Sequence, residues 1–224
     1  MIDLYTAPTP NGYKVSIALE ELGLPYALKP VDLRRGDQFA PDFLRISPNN
    51  KIPAIVDGDV RLFESGAILL YLGEKTGRLL PAAGSARYTV LQWMFFQAGG
   101  TGPMLGQVHH FRNYAPEKIP YAIDRYTNEG KRLYGVVDKR LSEARYLAGD
   151  EYTMADIMNL PWLLLSHRQE IPLSDYPHVA RWIDELKARP AVQRGLAVPP
   201  RNDAPMDEKA REVLFGKQQY ERRS

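Results

Sequence analysis

The 224-residue sequence predicts an α/β domain of order βαβ then ββα, followed by an all-helical domain. Three observations carry that prediction. Short apolar runs suited to strands all fall before residue 64, and two of them are joined by the two-residue hairpin turn Gly58-Asp59. Every periodic segment after Ser85 repeats at helical spacing, with prolines between segments. The stretch "TGRLLPAAGS", residues 76 to 85, separates the two patterns. The expected units are therefore 1–78, a linker at 79–85, a helical part at 86–204 and a charged tail at 205–224.

The elements follow in order. Residues 2 to 5 read as a strand, after which Pro8 and Pro10 enforce a loop by fixing φ and pushing their predecessors out of the helical region. From Gly12 the pattern turns helical, with Val15, Ala18, Leu19 and Leu22 on one face, Gly23 as the stop and Pro25 beyond it. A second strand is expected at Tyr26 to Val31 and a short helix around Asp42 to Ile46. Strands at Ala54 to Asp57 and Arg61 to Phe63 lead into a helix that carries Ile68, Leu69 and Leu72 and ends near Gly77. The later helices are expected at Tyr88 to Phe96, Tyr121 to Leu141, Met154 to Arg168 and His178 to Arg189. Thr153-Met154-Ala155-Asp156 is a capping box, which matters for folding rather than catalysis. The tail mixes both signs of charge with few apolar residues, so it is expected either as a short helix on a partner or as an unstructured end.

Composition narrows the function. With 29 basic and 27 acidic residues, the formal charge is only +2, so no field is built for a polyanion and nucleic acid is not an expected partner. The start Met1-Ile2-Asp3-Leu4-Tyr5 has no basic and apolar leader pattern, and no run approaches the ~18 apolar residues of a membrane span. A cytoplasmic protein is expected, with no membrane partner. The chain contains no cysteine, which removes disulfides, zinc-thiolate sites and cysteine nucleophiles together. Any sulfur chemistry must use a thiol that diffuses in.

Several motifs reduce to structure. His109 and His110 are adjacent, point apart on a helix and lack a further ligand at metal spacing, so packing or pocket lining is expected and no metal. "GGTGPMLGQ", residues 99 to 107, lacks the ending of a phosphate loop and follows a helical run, so Pro103 reads as bending or breaking a helix. Ser16, Ser47, Ser65 and Ser166 have no nucleophile-elbow context.

The corner "APTPNGYK", residues 7 to 14, is different. Asn11 and Gly12 open a helix, where unpaired N–H groups and the macrodipole favour an anion, and Thr9 and Asn11 add a hydroxyl and an amide. Loop capping accounts for the same two residues, and from the local sequence alone it is the favoured reading. A thiol with a pKa of about 8.5 is mostly protonated at neutral pH; lowering it by about two units requires roughly 2.7 kcal/mol of preferential thiolate stabilisation, within reach of a few good donors. Lys51-Ile52-Pro53 places a proline at a strand start, where a cis peptide would leave the Ile52 backbone free to pair with an extended ligand. Glu64-Ser65, at another helix start, suits an ammonium and a carboxylate. Amine, carboxylate, peptide backbone and thiol are together the features of glutathione.

On these residues the chain resembles a glutathione transferase over nearly its whole length, a thioredoxin-like half followed by an all-helical half. The blocks "IDLYTAPTPNGYKVSIALEE", "FLRISPNNKIPAIVDG", "LFESGAILLYLGEKTG", "GPMLGQVHHF" and "IPYAIDRY" resemble the nu class, which includes bacterial glutathione-dependent disulfide-bond oxidoreductases and has the yeast nitrogen-catabolite regulator as a relative. The resemblance implies thiol-proximal, catalytic roles for Thr9 and Asn11 and a backbone contact from Ile52 beside Pro53. It further implies a γ-glutamyl site at Glu64 and Ser65, a polar contact from Gln38, a helical-domain arginine at Arg125 and a weaker contribution from Lys51. Tyr5 is expected to be structural, and Tyr13 to line the second-substrate side at most. Tyr114, Phe111 and Trp162 are candidates for that second pocket. The activity implied is glutathione-dependent disulfide reduction by a homodimer, with glutathione as cosubstrate. Conjugation to electrophiles, peroxide reduction and non-catalytic regulatory binding stay open as alternatives.

Overall fold

A computed structural model describes residues 1–200 and 206–220. Four strands, β1 (Ile2–Thr6), β2 (Tyr26–Pro30), β3 (Ala54–Asp57) and β4 (Val60–Phe63), form one sheet in the order β2-β1-β3-β4. β1 runs parallel to β2 and antiparallel to β3, and β3 pairs antiparallel with β4 through the Gly58-Asp59 turn. The expected βαβ-ββα order is present, with helices α1 (Pro10–Leu22), α2 (Pro41–Leu44) and α3 (Ser65–Thr76) inserted as predicted.

The pairing register decides where function can sit. Tyr5 lies opposite Ala54, which lies opposite Phe63, so β1 and β4 run the same way and end at the same edge. The heads of α1 and α3, the turn into β3 at Ile52-Pro53 and the exit of β2 all meet there. The Ile52–Pro53 peptide is cis, as the sequence suggested.

Beyond the sheet come α4 (Gly84–Phe96), α5 (Gly102–His109), α6 (Pro120–Glu143), α7 (Met154–Leu163), α8 (Ser166–Gln169), α9 (Pro177–Lys187), α10 (Pro190–Leu196) and α11 (Glu208–Phe215). The bend expected at residues 99 to 107 is a π-helical turn, Gln97–Thr101, between α4 and α5. Its closing bond runs from Gly102 N–H to the Gln97 carbonyl, so the ladder has already widened where Pro103 lacks a donor. Thr153 and Asp156 form the predicted capping box of α7. Asp156 is fully buried and also accepts from Leu147 N and from Trp182 Nε1 at 2.9 Å.

The main core joins both halves. Val15, Ile17, Ala18 and Leu19 of α1 pack in one cluster with Ile68, Leu69 and Leu72 of α3 and with Met154, Ile157 and Met158 of α7. Gly195 of α10 approaches α1 so closely that a Cβ would stand 2.6 Å from Ile17 Cα, and Ser16 Oγ donates to the Gly195 carbonyl at 2.6 Å. A smaller cluster of Val31, Phe43 and Ala54 lies beneath α2.

The tail forms the short helix of the first expectation, but packed on its own chain rather than on a partner. Over residues 206–220 it folds on its own chain: Asp207 caps α11, Phe215 stacks on Tyr114 and sets its edge to His110, and Arg211 donates to the Tyr114 carbonyl. An aromatic anchor, a cap and polar contacts from Arg211 and Gln219 do what its low apolar content concealed. Residues 205 and 221–224 of that tail lie outside the described residues.

Candidate functional site

Thr9 is the N-cap of α1, its Oγ1 accepting from Gly12 N at 3.2 Å. Capping therefore holds for Thr9, and its hydroxyl proton is still available to donate. Gly12 is required by the tight corner, since a Cβ would lie 2.3 Å from the Ala7 carbonyl oxygen and 2.4 Å from Thr6 Oγ1. Asn11 is half-buried, and its Oδ1 accepts from Lys14 Nζ at 3.0 Å and from Trp162 Nε1 at 2.9 Å. Asn11 lines a cleft, and with its oxygen taken twice the amide NH₂ is the end that can still donate.

That cleft, of about 480 Å³, is lined by Asn11, Lys14, Glu64, Ser65 and Gln97 on its polar side and by Leu91, Met94 and Met158 among its apolar residues. Glu64 precedes α3 with φ at +70°, a conformation uncommon for a residue with a Cβ, and its side chain is exposed. Ser65 begins α3 and is buried, its Oγ 3.3 Å from Lys14 Nζ.

Lys14 is the residue that sequence reasoning passed over. It is 2% exposed and donates to Asn11 Oδ1, Ser65 Oγ and, at 2.7 Å, Gln97 Oε1. Burial pushes its pKa down to about 7, against the opposing pull of the Glu64 carboxylate. Its spacing from Asn11, one turn along α1, was the available signal. Behind Trp162, the buried His109 sets its ring edge-on at 5.7 Å; burial, then the charges of Arg168 and His167, push its pKa down to about 4, so it stays neutral.

The other predicted residues distribute around the same edge. Gln38 is buried, donates to the Leu33 carbonyl, and has an Oε1 with no partner among the described residues. Ile52 and Pro53 stand at the turn into β3, outside the ladder that begins at Ala54. Lys51 reaches the tail, Nζ to Gln219 Oε1 at 2.8 Å. Of the second-pocket candidates, Tyr114 lines a groove with Thr9, Leu33, Arg168 and Phe215, Trp162 joins Asn11 itself, and Phe111 stacks on Tyr126. Tyr5 packs against Phe43, a structural role. Arg125 is not brought to the cleft; it is exposed on α6 in a separate groove with Tyr121, Asp124 and Glu129. Among the described residues no cluster of three metal-ligating side chains occurs, and no helix is long and apolar enough to cross a membrane.

The model of the glutathione S-transferase N-terminal domain matches residues 1–74, and that of the C-terminal domain matches residues 115–190. The chain belongs to the glutathione S-transferase family. It is 54% identical over 203 residues to the disulfide-bond oxidoreductase YfcG of Escherichia coli, covering 88% of this chain and 94% of that one. With the disulfide-bond oxidoreductase YghU of the same organism it shares 41% identity, covering 94% of this chain and 79% of the relative. Among solved structures, a Pseudomonas fluorescens family member with two glutathiones bound superimposes with a TM-score of 0.84 at 47% identity, covering 87% of this chain and 92% of that one. A Pseudomonas putida glutathione transferase with one glutathione disulfide per subunit gives 0.85 at 44%, covering 88% and 91%.

Proposed function

We propose that this protein reduces disulfide bonds with glutathione held at the shared edge of β1, β3 and β4. The observation that carries the reading is the meeting of two helix heads, Thr9 and Asn11 on α1 with Glu64 and Ser65 on α3, in a chain that has no cysteine. The Asn11 amide and the Thr9 hydroxyl donate to the glutathione sulfur and favour its thiolate. Glu64 and Ser65 take the γ-glutamyl ammonium and carboxylate, Ile52 pairs with the cysteinyl backbone, and Gln38 and Lys51 contact the remainder.

The thiolate attacks one sulfur of a substrate disulfide. That S–S bond breaks, a glutathione–substrate disulfide forms, and the departing substrate thiolate takes up a proton. A second glutathione thiolate then attacks the glutathione sulfur of the mixed disulfide, releasing the other substrate thiol and forming glutathione disulfide. Two glutathiones are oxidised as one disulfide is reduced. The relatives named as disulfide-bond oxidoreductases, and the similar structures that hold two glutathiones or one glutathione disulfide, support this over conjugation.

The same reading includes a homodimer acting in the cytoplasm, where glutathione is kept reduced, built from units 1–78 and 86–204 joined at 79–85. Tyr88 and Phe95 on α4 are 70% and 67% exposed, with Tyr121 of α6 at 75%, an apolar face suited to a second copy. Arg125, remote from the cleft of its own chain, then meets the ligand of the partner. Initial rates with reduced glutathione on hydroxyethyl disulfide, chlorodinitrobenzene and a hydroperoxide test the assignment. The disulfide is expected to be the fastest; faster conjugation than disulfide reduction would overturn it.

A further inference from the structure

Lys14 joins three separated parts of the chain. Its Nζ lies 3.0 Å from Asn11 Oδ1, 3.3 Å from Ser65 Oγ and 2.7 Å from Gln97 Oε1. In its protonated form Lys14 has three N–H donors and no acceptor, and all three of its neighbours present an oxygen. We infer that Lys14 is a positioning residue of this site: it draws the acceptor atoms of Asn11, Ser65 and Gln97 inward and so turns the Asn11 amide and the Ser65 hydroxyl outward as donors to bound glutathione. The inference rests on the glutathione reading above.

Asn11 shows the effect most clearly. An asparagine can reverse its amide when its neighbours both donate and accept, but here two donors, Lys14 Nζ and Trp162 Nε1, converge on one oxygen. Reversal would set the NH₂ group against both, so only the donor end is left for the cleft. Ser65 is constrained in the same way, because a hydroxyl oxygen that accepts from Nζ must direct its hydrogen elsewhere. While Lys14 is protonated, its charge behind both donors also polarises them toward an anion, an effect strengthened by low dielectric. A lysine with 2% exposure and, among the described residues, no ion-pair partner is a costly way to fill space. An apolar side chain would do so more cheaply, which argues for a role in the site.

The test uses the full-length Lys14→Met protein, reduced glutathione and S-methylglutathione, which has no ionisable thiol. The ultraviolet absorbance of bound thiolate is followed against pH, beside kcat and KM for hydroxyethyl disulfide. The expected result is a raised pKa for the bound thiol and a kcat/KM about tenfold lower at neutral pH. Adding Lys14→Met to Asn11→Ala should cause little further change in that pKa. Should Lys14→Met fold poorly, Lys14→Cys supplies the chain's one thiol; aminoethylating it in denaturant and refolding restores an ammonium at lysine length, and with it the lowered thiol pKa. An unchanged thiol pKa in Lys14→Met, or an aminoethylated protein that regains wild-type unfolding but not the thiolate, overturns the inference alone. If wild-type protein binds neither glutathione nor S-methylglutathione, the functional reading falls and the inference falls with it.

Discussion

Asn11, Gly12 and Lys14 share one helical turn yet answer to different constraints. Gly12 is set by contact with Ala7, Asn11 by two donors on its oxygen, and Lys14 by burial. Asn11, Glu64 and Ser65 could be picked out in the sequence as candidates because each stands at a helix head, where unpaired N–H groups suit an anion and the Glu64 carboxylate suits an ammonium. Lys14 was not legible: a lysine one turn into an amphipathic helix reads as a solvated charge, and only α3 and the π turn closing over it make it buried. Its lowered pKa has a signed consequence. Below pH 7 both folded and unfolded chains carry the proton and the folded state bears the full cost of burying it; between about 7 and 10 only the unfolded chain keeps it, so this group's contribution to stability improves as pH rises. Urea unfolding of wild type and Lys14→Met at pH 7, 8.5 and about 10 should show the wild type gaining on the variant with pH. A constant difference would contradict that sign.

At the scale of elements, strands and capped helices were read where local rules decide them. The hairpin at Gly58-Asp59, the stop at Gly23 and the capping box of α7 all appear as expected. The bend after α4 was anticipated from Pro103, but its π-helical form was not, because sequence spacing does not separate a broken ladder from a widened one. That form matters, since it presents Gln97 to Lys14. α7 depends on Asp156, whose carboxylate serves Thr153 N, Leu147 N and Trp182 Nε1 at once. Asp156→Ala leaves those buried donors unpaired and should cost about 3 kcal/mol or more, read as a lower urea midpoint with an unchanged slope. A loss under about 0.5 kcal/mol would mean water replaces the carboxylate.

The whole molecule explains what one chain's sequence could not place. Arg125 carries a role implied by resemblance, yet lies in a groove apart from the cleft; the proposed homodimer accounts for this by bringing it to the ligand of the partner. Tyr88→Glu with Phe95→Glu should convert the protein to a folded monomer by sedimentation and weaken glutathione binding, whereas an unchanged dimer would place the interface elsewhere. Where the tail docks was not legible for a related reason: its aromatic anchor, Phe215, acquires a partner only when Tyr114 and His110 come together. The central claim is that a glutathione thiolate, held by the head of α1, attacks the disulfide. Turnover of hydroxyethyl disulfide by wild type and Asn11→Ala, with thiolate absorbance recorded on the same samples, tests it most directly. The account predicts that activity and thiolate fall together in the variant, by about tenfold or more, since a hydrogen bond to a charged group contributes about 1.5–3 kcal/mol; full activity without the Asn11 amide would contradict it.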